Sequence, residues 1–232
     1  MKQSKKIVII LGPPGSGKGT QASLLADRLG FHYLETSKII EKKVMKAGAK
    51  DVEIVNGKEY LLLKEKKYWE EGILCSPPLI AFWMNQEIKR LAEQEESIVF
   101  AGSPRTLPET QEIMPVMADL YRKDNISVVL FELKPEDSIY RNSHRRICKL
   151  FRHPILYNEE TKTLTMCPLD GSKLLKREKL DDPETIKIRL KEYRERTLPI
   201  IDYFENNGYE VKKIDASPSP ADVFNSLIKS LQ

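Results

Sequence analysis

A glycine-rich stretch near the amino terminus, GPPGSGKGT, contains the residues whose types and spacing most directly suggest chemistry. Gly12 is followed after four residues by Gly17 and Lys18, and Gly19 stands where this motif usually has Ser or Thr. Small residues let successive backbone N–H groups converge on phosphate oxygens, and a lysine adds a mobile positive charge. The stretch predicts a polyphosphate-binding loop formed by Gly12, Gly15, Ser16, Gly17, Lys18, Gly19 and Thr20.

Such a loop needs a strand before it and a helix after it, and the sequence predicts both. Short apolar runs indicate strands at KIVIIL, SIVFA, SVVLFEL and YEVKKI, with a weaker strand at FHYLE. Helical patterns lie between these runs, and one near the carboxyl end extends from Ile186 to Phe204. The alternation predicts a doubly wound α/β fold on a parallel five-stranded sheet.

Two segments interrupt this alternation and are predicted to be insertions. Residues 37–75 contain Asn56-Gly57 between two short β-capable runs, which is the pattern of a tight hairpin. Residues 147–180 contain two of the three cysteines and the turn sequence LDGS. The expected core therefore comprises residues 1–36, 76–146 and 181–232.

Composition limits the classes of partner. The chain has a net charge of +4, and its positive and negative residues are interspersed. This small, scattered excess argues against a nucleic-acid interface but suits a small polyanionic substrate. Three widely spaced cysteines argue against a disulfide framework and favour a reducing compartment. The apolar run Ile7–Leu11 is too short for a signal peptide or a membrane span, so a cytoplasmic protein without a membrane partner is expected.

From end to end, the chain resembles the adenylate kinase family of nucleoside monophosphate kinases. The loop GPPGSGKGTQA has that family's form, and GSPRT at Gly102–Thr106 is similar to its GFPRT motif. RNSHRR at Arg141–Arg146 resembles the R-x-x-x-R-R at the entrance to the family's lid. The segment Pro183–Phe204 is similar to the helix after the lid, and all these motifs occur in family order.

The resemblance implies a core, a monophosphate-binding insert at 37–75 and a closing lid at 147–180. It also implies a monomer that transfers the γ-phosphoryl group of Mg-ATP to AMP, giving two ADP. Positive side chains would neutralise charge on the transferred group, and the implied catalytic residues are Lys18, Arg105, Arg145 and Arg189. Arg141 and Arg145 would join the loop in binding ATP, and the monophosphate would contact Thr36, Gly102, Arg105, Gln111 and Arg189.

Several positions depart from the family pattern, mainly on the acceptor side. Ala101 and Lys38 stand where the family has aspartates, and Glu41 stands where it has an arginine for the AMP phosphate. Ser103 replaces the Phe of GFPRT, and Glu109 occupies the position of the family's adenine-reading glutamine. Two alternatives therefore remain, namely a kinase for another monophosphate and a nucleotide-binding sensor without turnover.

The lid segment contains candidate metal ligands. Some family members bind zinc there through two Cys-x-x-Cys-type pairs, the second of which can end in Asp. Cys167 and Asp170 have the required spacing, whereas Phe151 stands where a second cysteine would pair with Cys148, and His153 lies two residues beyond. The resemblance thus implies a structural zinc site of Cys148, His153, Cys167 and Asp170, with a metal-free lid as the alternative. Either Arg177 or Lys179 is expected to serve as the lid's positive residue.

Overall fold

The structure is a computed structural model that describes residues 5–177 and 181–232. Its strands are β1 (Ile7–Leu11), β2 (His32–Glu35), β3 (Val52–Val55), β4 (Lys58–Leu61), β5 (Ile98–Ala101), β6 (Ile126–Glu132), β7 (Arg146–Cys148), β8 (Pro154–Ile155), β9 (Leu174–Leu175) and β10 (Val211–Asp215). Its α-helices are α1 (Lys18–Leu29), α2 (Thr36–Val44), α3 (Leu62–Glu71), α4 (Pro77–Glu93), α5 (Leu107–Tyr121), α6 (Pro135–Ser143), α7 (Pro183–Glu192), α8 (Ile200–Asn206) and α9 (Pro220–Ser230).

A parallel five-stranded sheet in the order β10-β6-β1-β5-β2 forms the centre of the molecule. The predicted fold class is confirmed, and the weaker run FHYLE does supply the edge strand β2. The central strands β1 and β5 are buried along their whole length, as their nearly continuous apolar sequences require.

Helices cover both faces of the sheet, and the residues of β1 alternate between the two layers. Ile7, Ile9 and Leu11 pack on one face with apolar residues of α4 and α5. Val8 and Ile10 face the opposite way and pack with residues of α1 and α9. Because successive strand residues point to opposite faces, a single five-residue run contributes to two hydrophobic layers.

All five parallel strands end at the same edge of the sheet, where ligands of open α/β folds bind. The phosphate loop follows β1, the Gly102–Thr106 segment follows β5, and α6 lies beyond β6. The fold therefore brings three separate sequence motifs to one place.

Each of the two segments predicted to be insertions contains a small antiparallel sheet apart from the central one. In the first, β3 and β4 pair antiparallel through a turn at Asn56 and Gly57, whose φ angles are 52° and 77°, so the predicted hairpin is confirmed. In the second, β8, β7 and β9 form a three-stranded sheet over a small core of Cys148, Ile155, Cys167 and Leu174.

The helical pattern near the carboxyl end does not form one continuous helix. A π-helical turn at Tyr193–Thr197 separates α7 from α8, and the N–H of Leu198 donates to the carbonyl of Tyr193 at 2.8 Å. Pro199 follows directly and has no N–H to continue the ladder. Within residues 5–177 and 181–232, every helix is too short or too polar to cross a lipid bilayer.

Candidate active site

The glycine-rich loop has a backbone that other residues could not adopt without strain. Gly12 has a φ of +146°, and a Cβ there would lie 2.7 Å from the carbonyl oxygen of Phe131. Gly15 has a φ of +79°, and a Cβ there would lie 2.5 Å from Nδ2 of Asn142. Helix α1 then begins at Lys18, so its free N–H groups point toward the loop. These features suit a bound polyphosphate.

Two buried hydroxyl groups in this region also suit a polar ligand. Oγ of Ser16 in the loop and Oγ1 of Thr36 at the start of α2 have no hydrogen-bond partner among the described residues. A buried hydroxyl without a partner costs free energy, and phosphate oxygens would supply the missing partners. This observation is consistent with the predicted ligand-binding roles of both residues, which remain predictions.

Lys18 lies at the centre of a positively charged cluster. Its Nζ donates to the carbonyl oxygens of Gly12 and Pro13 at 2.7 and 2.8 Å. Burial lowers the pKa of Lys18 well below its usual value, and Arg105, Arg189 and Arg145 lower it further by repulsion. The fold thus brings together the four residues that the sequence predicted to be catalytic.

The arginines of this cluster repel one another. Burial, followed by repulsion from Arg145, Arg177 and Arg105, lowers the pKa of Arg189 to about 9. Burial and repulsion from Arg177 lower the pKa of Arg145 to about 10. A site with so many buried positive charges is suited to a ligand with several negative charges.

Arg177 is a member of this cluster that the sequence left undecided. Its guanidinium forms a two-point ion pair with the buried carboxylate of Asp181, with Nη2–Oδ1 at 2.8 Å and Nε–Oδ2 at 3.2 Å. The alternative residue, Lys179, lies outside the described residues. Several Lys and Arg residues lie close together around position 177, so the sequence could not be aligned with the family's motif well enough to choose between Arg177 and Lys179.

Arg141 lies beside the connection between β10 and α9. Its Nη1 donates to the carbonyl of Ala216 and its Nη2 to the carbonyl of Ser217, both at 2.8 Å. The guanidinium therefore orders this connection at the same edge of the sheet as the phosphate loop. Its expected contact with ATP stays a prediction.

A small cavity that opens to solvent adjoins the positive cluster. Most of its wall is apolar, and Arg105 and Glu109 supply the charged groups that line it; the lining residues are Thr36, Ile40, Trp69, Ile73, Leu74, Cys75, Ile80, Gly102, Arg105 and Glu109. Gly102 has a φ of +101°, and a Cβ there would lie 2.6 Å from Nη2 of Arg105. A glycine at this position therefore gives the Arg105 side chain its space.

Glu109 and Gln111 lie on different sides of α5. Glu109 is buried, and its Oε2 accepts the backbone N–H of Arg105 at 3.1 Å while its Oε1 contacts the hydroxyl of Ser103. Gln111 is exposed, and within residues 5–177 and 181–232 it is absent from the cavity wall. Residues two positions apart in an α-helix are separated by about 200° around the helix axis, so Glu109 and Gln111 cannot lie on the same face. Gln111 therefore lies apart from this cavity, and its expected contact with the monophosphate stays a prediction.

The aspartates missing at positions 101 and 38 leave Glu35 as the carboxylate at the end of β2. Glu35 pairs in register with Ala101 of β5, and it accepts the Ser37 hydroxyl at 2.6 Å. Nζ of Lys38, on a largely exposed side chain, lies 3.2 Å from Oε2 of Glu35. This edge of the sheet thus retains a negative group at position 35, before Thr36, whereas the family's aspartate position is residue 38, after Thr36.

One turn of chain connects the cavity wall to the positive cluster. Helix α3 ends at Gly72, whose φ is +79° and whose Cβ, if present, would lie 2.9 Å from Cγ of Arg189. Two residues later, the N–H of Leu74 donates to Oε2 of Glu192 at 3.0 Å. Arg196 donates to the same oxygen at 2.8 Å. The end of α3 is therefore fixed to α7, which carries Arg189.

The four predicted metal ligands of the lid segment come together. The ligand atoms of Cys148, His153, Cys167 and Asp170 all lie within 4.8 Å of one another. Nδ1 of His153 is 3.8 Å from Sγ of Cys167 and 3.3 Å from Oδ2 of Asp170, which lies 2.8 Å from Sγ of Cys148. Phe151 is exposed and stacks against the His153 ring. These four residues could hold a metal ion.

Comparison with known proteins agrees with this geometry. The family model for adenylate kinase matches residues 10–209. An adenylate kinase of Hydrogenobaculum sp. (strain Y04AAS1) is 31% identical over 222 residues, covering 95% of this chain and 98% of the relative. An adenylate kinase of Caldicellulosiruptor saccharolyticus is 30% identical over 226 residues, covering 97% of this chain and 98% of the relative. With its parallel sheet, phosphate loop and positive cluster, the chain belongs to the adenylate kinase family.

Proposed function

We propose that this protein transfers the γ-phosphoryl group of Mg-ATP to AMP, producing two ADP. The observation that carries the proposal is the convergence of Lys18, Arg105, Arg145 and Arg189 beside the cavity. Phosphoryl transfer requires little covalent participation by the protein, so positioning and charge neutralisation account for most of the catalysis. Magnesium enters as part of the ATP substrate.

The locations of the residues support the following proposed roles. ATP phosphates lie on the loop N–H groups and Lys18, and AMP lies in the cavity with its phosphate near Arg105. An oxygen of the AMP phosphate forms a bond to the γ-phosphorus, while the bond from that phosphorus to the β–γ bridging oxygen breaks. That AMP oxygen is already ionised, so no base is needed, and Arg145 and Arg189 stabilise charge on the group in transfer.

We also propose that residues 37–75 and 147–180 close over the substrates as separate units, which would exclude water from the phosphoryl group. The separate small sheets of the two segments support this division. A monomer is expected from the family resemblance. The three free, buried cysteines support a reducing, cytoplasmic location.

Zinc is the metal that we propose for the lid cluster. Two thiolates, an imidazole and a carboxylate form a closed tetrahedral ligand set, in which ligand atoms lie about 3.3 to 3.8 Å apart. The distances from His153 to Cys167 and Asp170 already match that range. Bound zinc would join the loops of the lid and stabilise its small core. Metal analysis should find about one zinc per chain, which Cys148→Ser should remove and Cys75→Ser, away from the cluster, should retain.

The function is tested by measuring ADP formation from Mg-ATP with a panel of monophosphates. AMP should be the preferred acceptor, and Lys18→Met should lower kcat by at least about 100-fold. Lys89→Met, on the exposed side of α4, serves as the matched control. Turnover with another monophosphate alone would identify a different kinase, and tight ATP binding without any transfer would identify a sensor that lacks the aspartates replaced by Ala101 and Lys38.

A further inference from the structure

The two loops that carry the candidate metal ligands also expose the most prominent apolar residues of the molecule. Among the described residues, the large apolar residues with the highest exposed fractions are Leu169 at 76%, Phe151 at 67% and Leu150 at 64%. Leu150 and Phe151 belong to the loop 148–153, and Leu169 belongs to the loop 167–173. A single exposed leucine is ordinary, whereas three such residues on adjoining loops form a patch typical of an interaction surface. We call these three residues the apolar tip.

Hydrogen bonds hold the two loops side by side. The N–H of Leu150 donates to Oγ of Ser172 at 3.1 Å, and the N–H of Lys149 donates to the carbonyl of Lys173 at 2.9 Å. The small core beneath the loops is formed by other residues, so the apolar tip does not serve to fill it. The apolar tip therefore projects from a fixed base into solvent.

The apolar tip is bordered by positive charge. The two loops contribute the exposed cations Lys149, Arg152 and Lys173, and none of the three has an ion-pair partner within the part of the chain that the structure describes. The only carboxylate in the sequence of these loops belongs to Asp170. Its side chain is 7% exposed and points inward, with Oδ2 at 2.8 Å from Sγ of Cys148. The surface around the tip thus carries positive charge that neither loop compensates.

Charge and shape distinguish among the candidate partners. A second copy of the chain would bring two sets of three cations together, and their repulsion opposes such a dimer. A stable protein–protein contact also buries roughly 800 Å² on each partner, which three side chains on two short loops do not offer. A lipid surface requires no matching shape, because apolar side chains enter it individually while cations bind the phosphate groups above them.

We propose that the apolar tip and its three cations bind the surface of an anionic phospholipid membrane. Leu150, Phe151 and Leu169 enter the boundary between headgroups and acyl chains, and the cations bind lipid phosphates. Binding of this kind requires no membrane-spanning helix. The short apolar run at the amino terminus, from which no membrane partner is expected, bears only on spanning segments. The inference goes beyond the proposed function, because no residue of the positive cluster around Lys18 takes part.

Sedimentation with vesicles tests the proposal. The protein should bind vesicles of phosphatidylglycerol and phosphatidylcholine in about equal parts, and it should bind vesicles of phosphatidylcholine alone at least about 10-fold more weakly. Leu150→Ser combined with Phe151→Ser should lower the partition coefficient by about 10- to 100-fold. The matched control is Ile54→Ser, which alters an apolar residue that is 60% exposed on β3 and should leave binding unchanged. Absence of binding to the anionic vesicles, or an equal loss with the control, would overturn the proposal.

The contribution of charge is measured separately. Lys149→Gln combined with Lys173→Gln should weaken binding to the anionic vesicles by about fivefold per cation. Lys46→Gln, at an exposed position of the other predicted insertion, should leave binding unchanged. Added salt should weaken the binding of the unaltered protein. If neither salt nor the paired substitution altered binding, recognition of lipid phosphates by these cations would be refuted.

Phe151→Trp reports whether the tip enters the lipid. Lipids brominated on the acyl chain should quench the fluorescence of this variant well beyond that of the unaltered protein, whose tryptophans are Trp69 and Trp83. Thermal unfolding establishes that each variant is folded. Binding without additional quenching would show adsorption through charge alone and would refute the role of the tip.

The same variants identify other partners. Self-association of the unaltered protein that Leu150→Ser with Phe151→Ser removes would identify a second copy as the partner. Binding to poly-glutamate without binding to vesicles would identify an acidic protein. Either result would count against the membrane proposal.

Discussion

Replacing Arg189 by methionine is expected to stabilise the ligand-free protein while removing most of its activity. Arg189 is partly exposed as a residue, but its guanidinium is buried at the carboxyl-terminal edge of the sheet and is repelled by Arg145, Arg177 and Arg105. Methionine retains a flexible apolar stem of similar length without the charge. The substitution therefore relieves repulsion in the free protein and removes a positive charge to which we assign a role in phosphoryl transfer under the proposed function.

The pKa gives the scale of the effect. A decrease from 12.5 to about 9 corresponds to roughly 5 kcal/mol of unfavourable free energy for the charged form. Loss of the guanidinium's own contacts offsets a large part of this, so a net stabilisation of about 1 to 3 kcal/mol is expected. For a protein of this length, that stabilisation corresponds to an increase in Tm of about 2 to 12 °C.

Calorimetry of the ligand-free protein measures the change in Tm, and a coupled assay measures kcat. The control is Arg194→Met, which removes an exposed charge from the neighbouring π-helical turn and should alter neither quantity appreciably. The same measurement with saturating ATP should show a smaller ligand-induced increase in Tm for Arg189→Met than for the unaltered protein. A lower Tm of the ligand-free variant, relative to both other proteins, would show that the repulsion is not a net cost.

Three further outcomes are expected. Gly102→Ala should lower the free energy of unfolding by about 1 to 2 kcal/mol and raise the KM for AMP, because the new Cβ would collide with the Arg105 side chain. The control is Gly48→Ala, at an exposed glycine whose φ is not in the left-handed region. If Gly102→Ala changed neither quantity, the need for space at this position would be contradicted. Glu65→Ala should lower the free energy of unfolding by about 2 to 4 kcal/mol, because the Ser76 N–H and hydroxyl would lose their buried acceptor. Urea titration measures this free energy. A loss no larger than that of Glu71→Ala, at an exposed position, would contradict the prediction. The Cys75 thiol, with its pKa raised to about 12, should resist alkylation in the native protein at neutral pH and react after unfolding; rapid native labelling would disprove the burial argument.

The sequence was most informative where local chemistry determines structure. The buried strands and the Asn56-Gly57 hairpin were predictable because side-chain period and turn geometry act over a few residues. The π-helical turn before Pro199 was not, since the apolar spacing continues through it and only the backbone hydrogen bonds reveal the change. Local pattern also could not choose between Glu109 and Gln111, because the choice depends on which side of α5 faces the cavity.

The pairing of Glu35 with Ala101 could not be predicted from the sequence, and Arg177 could be named only as one of two candidates. Both depend on contacts between segments that are far apart in the chain, and neither residue belongs to a fixed motif. The lid cluster could be predicted only by accepting His153 as a ligand two residues beyond Phe151, where the second cysteine is expected. The loop from Cys148 to His153 makes this substitution workable, because the His153 N–H donates to Sγ of Cys148 at 3.1 Å.

The turn from Gly72 to Cys75 has a consequence for how such an enzyme can be altered, by selection or by design. Ile73, Leu74 and Cys75 line the cavity proposed for the acceptor, while Gly72 lies against the side chain of Arg189. Enlarging the cavity for a bulkier acceptor by rebuilding this turn would also displace Arg189, the arginine proposed to stabilise the transferred group. Acceptor range and catalytic rate are thus not independently adjustable here, and a variant with a new acceptor would require compensating changes in α7.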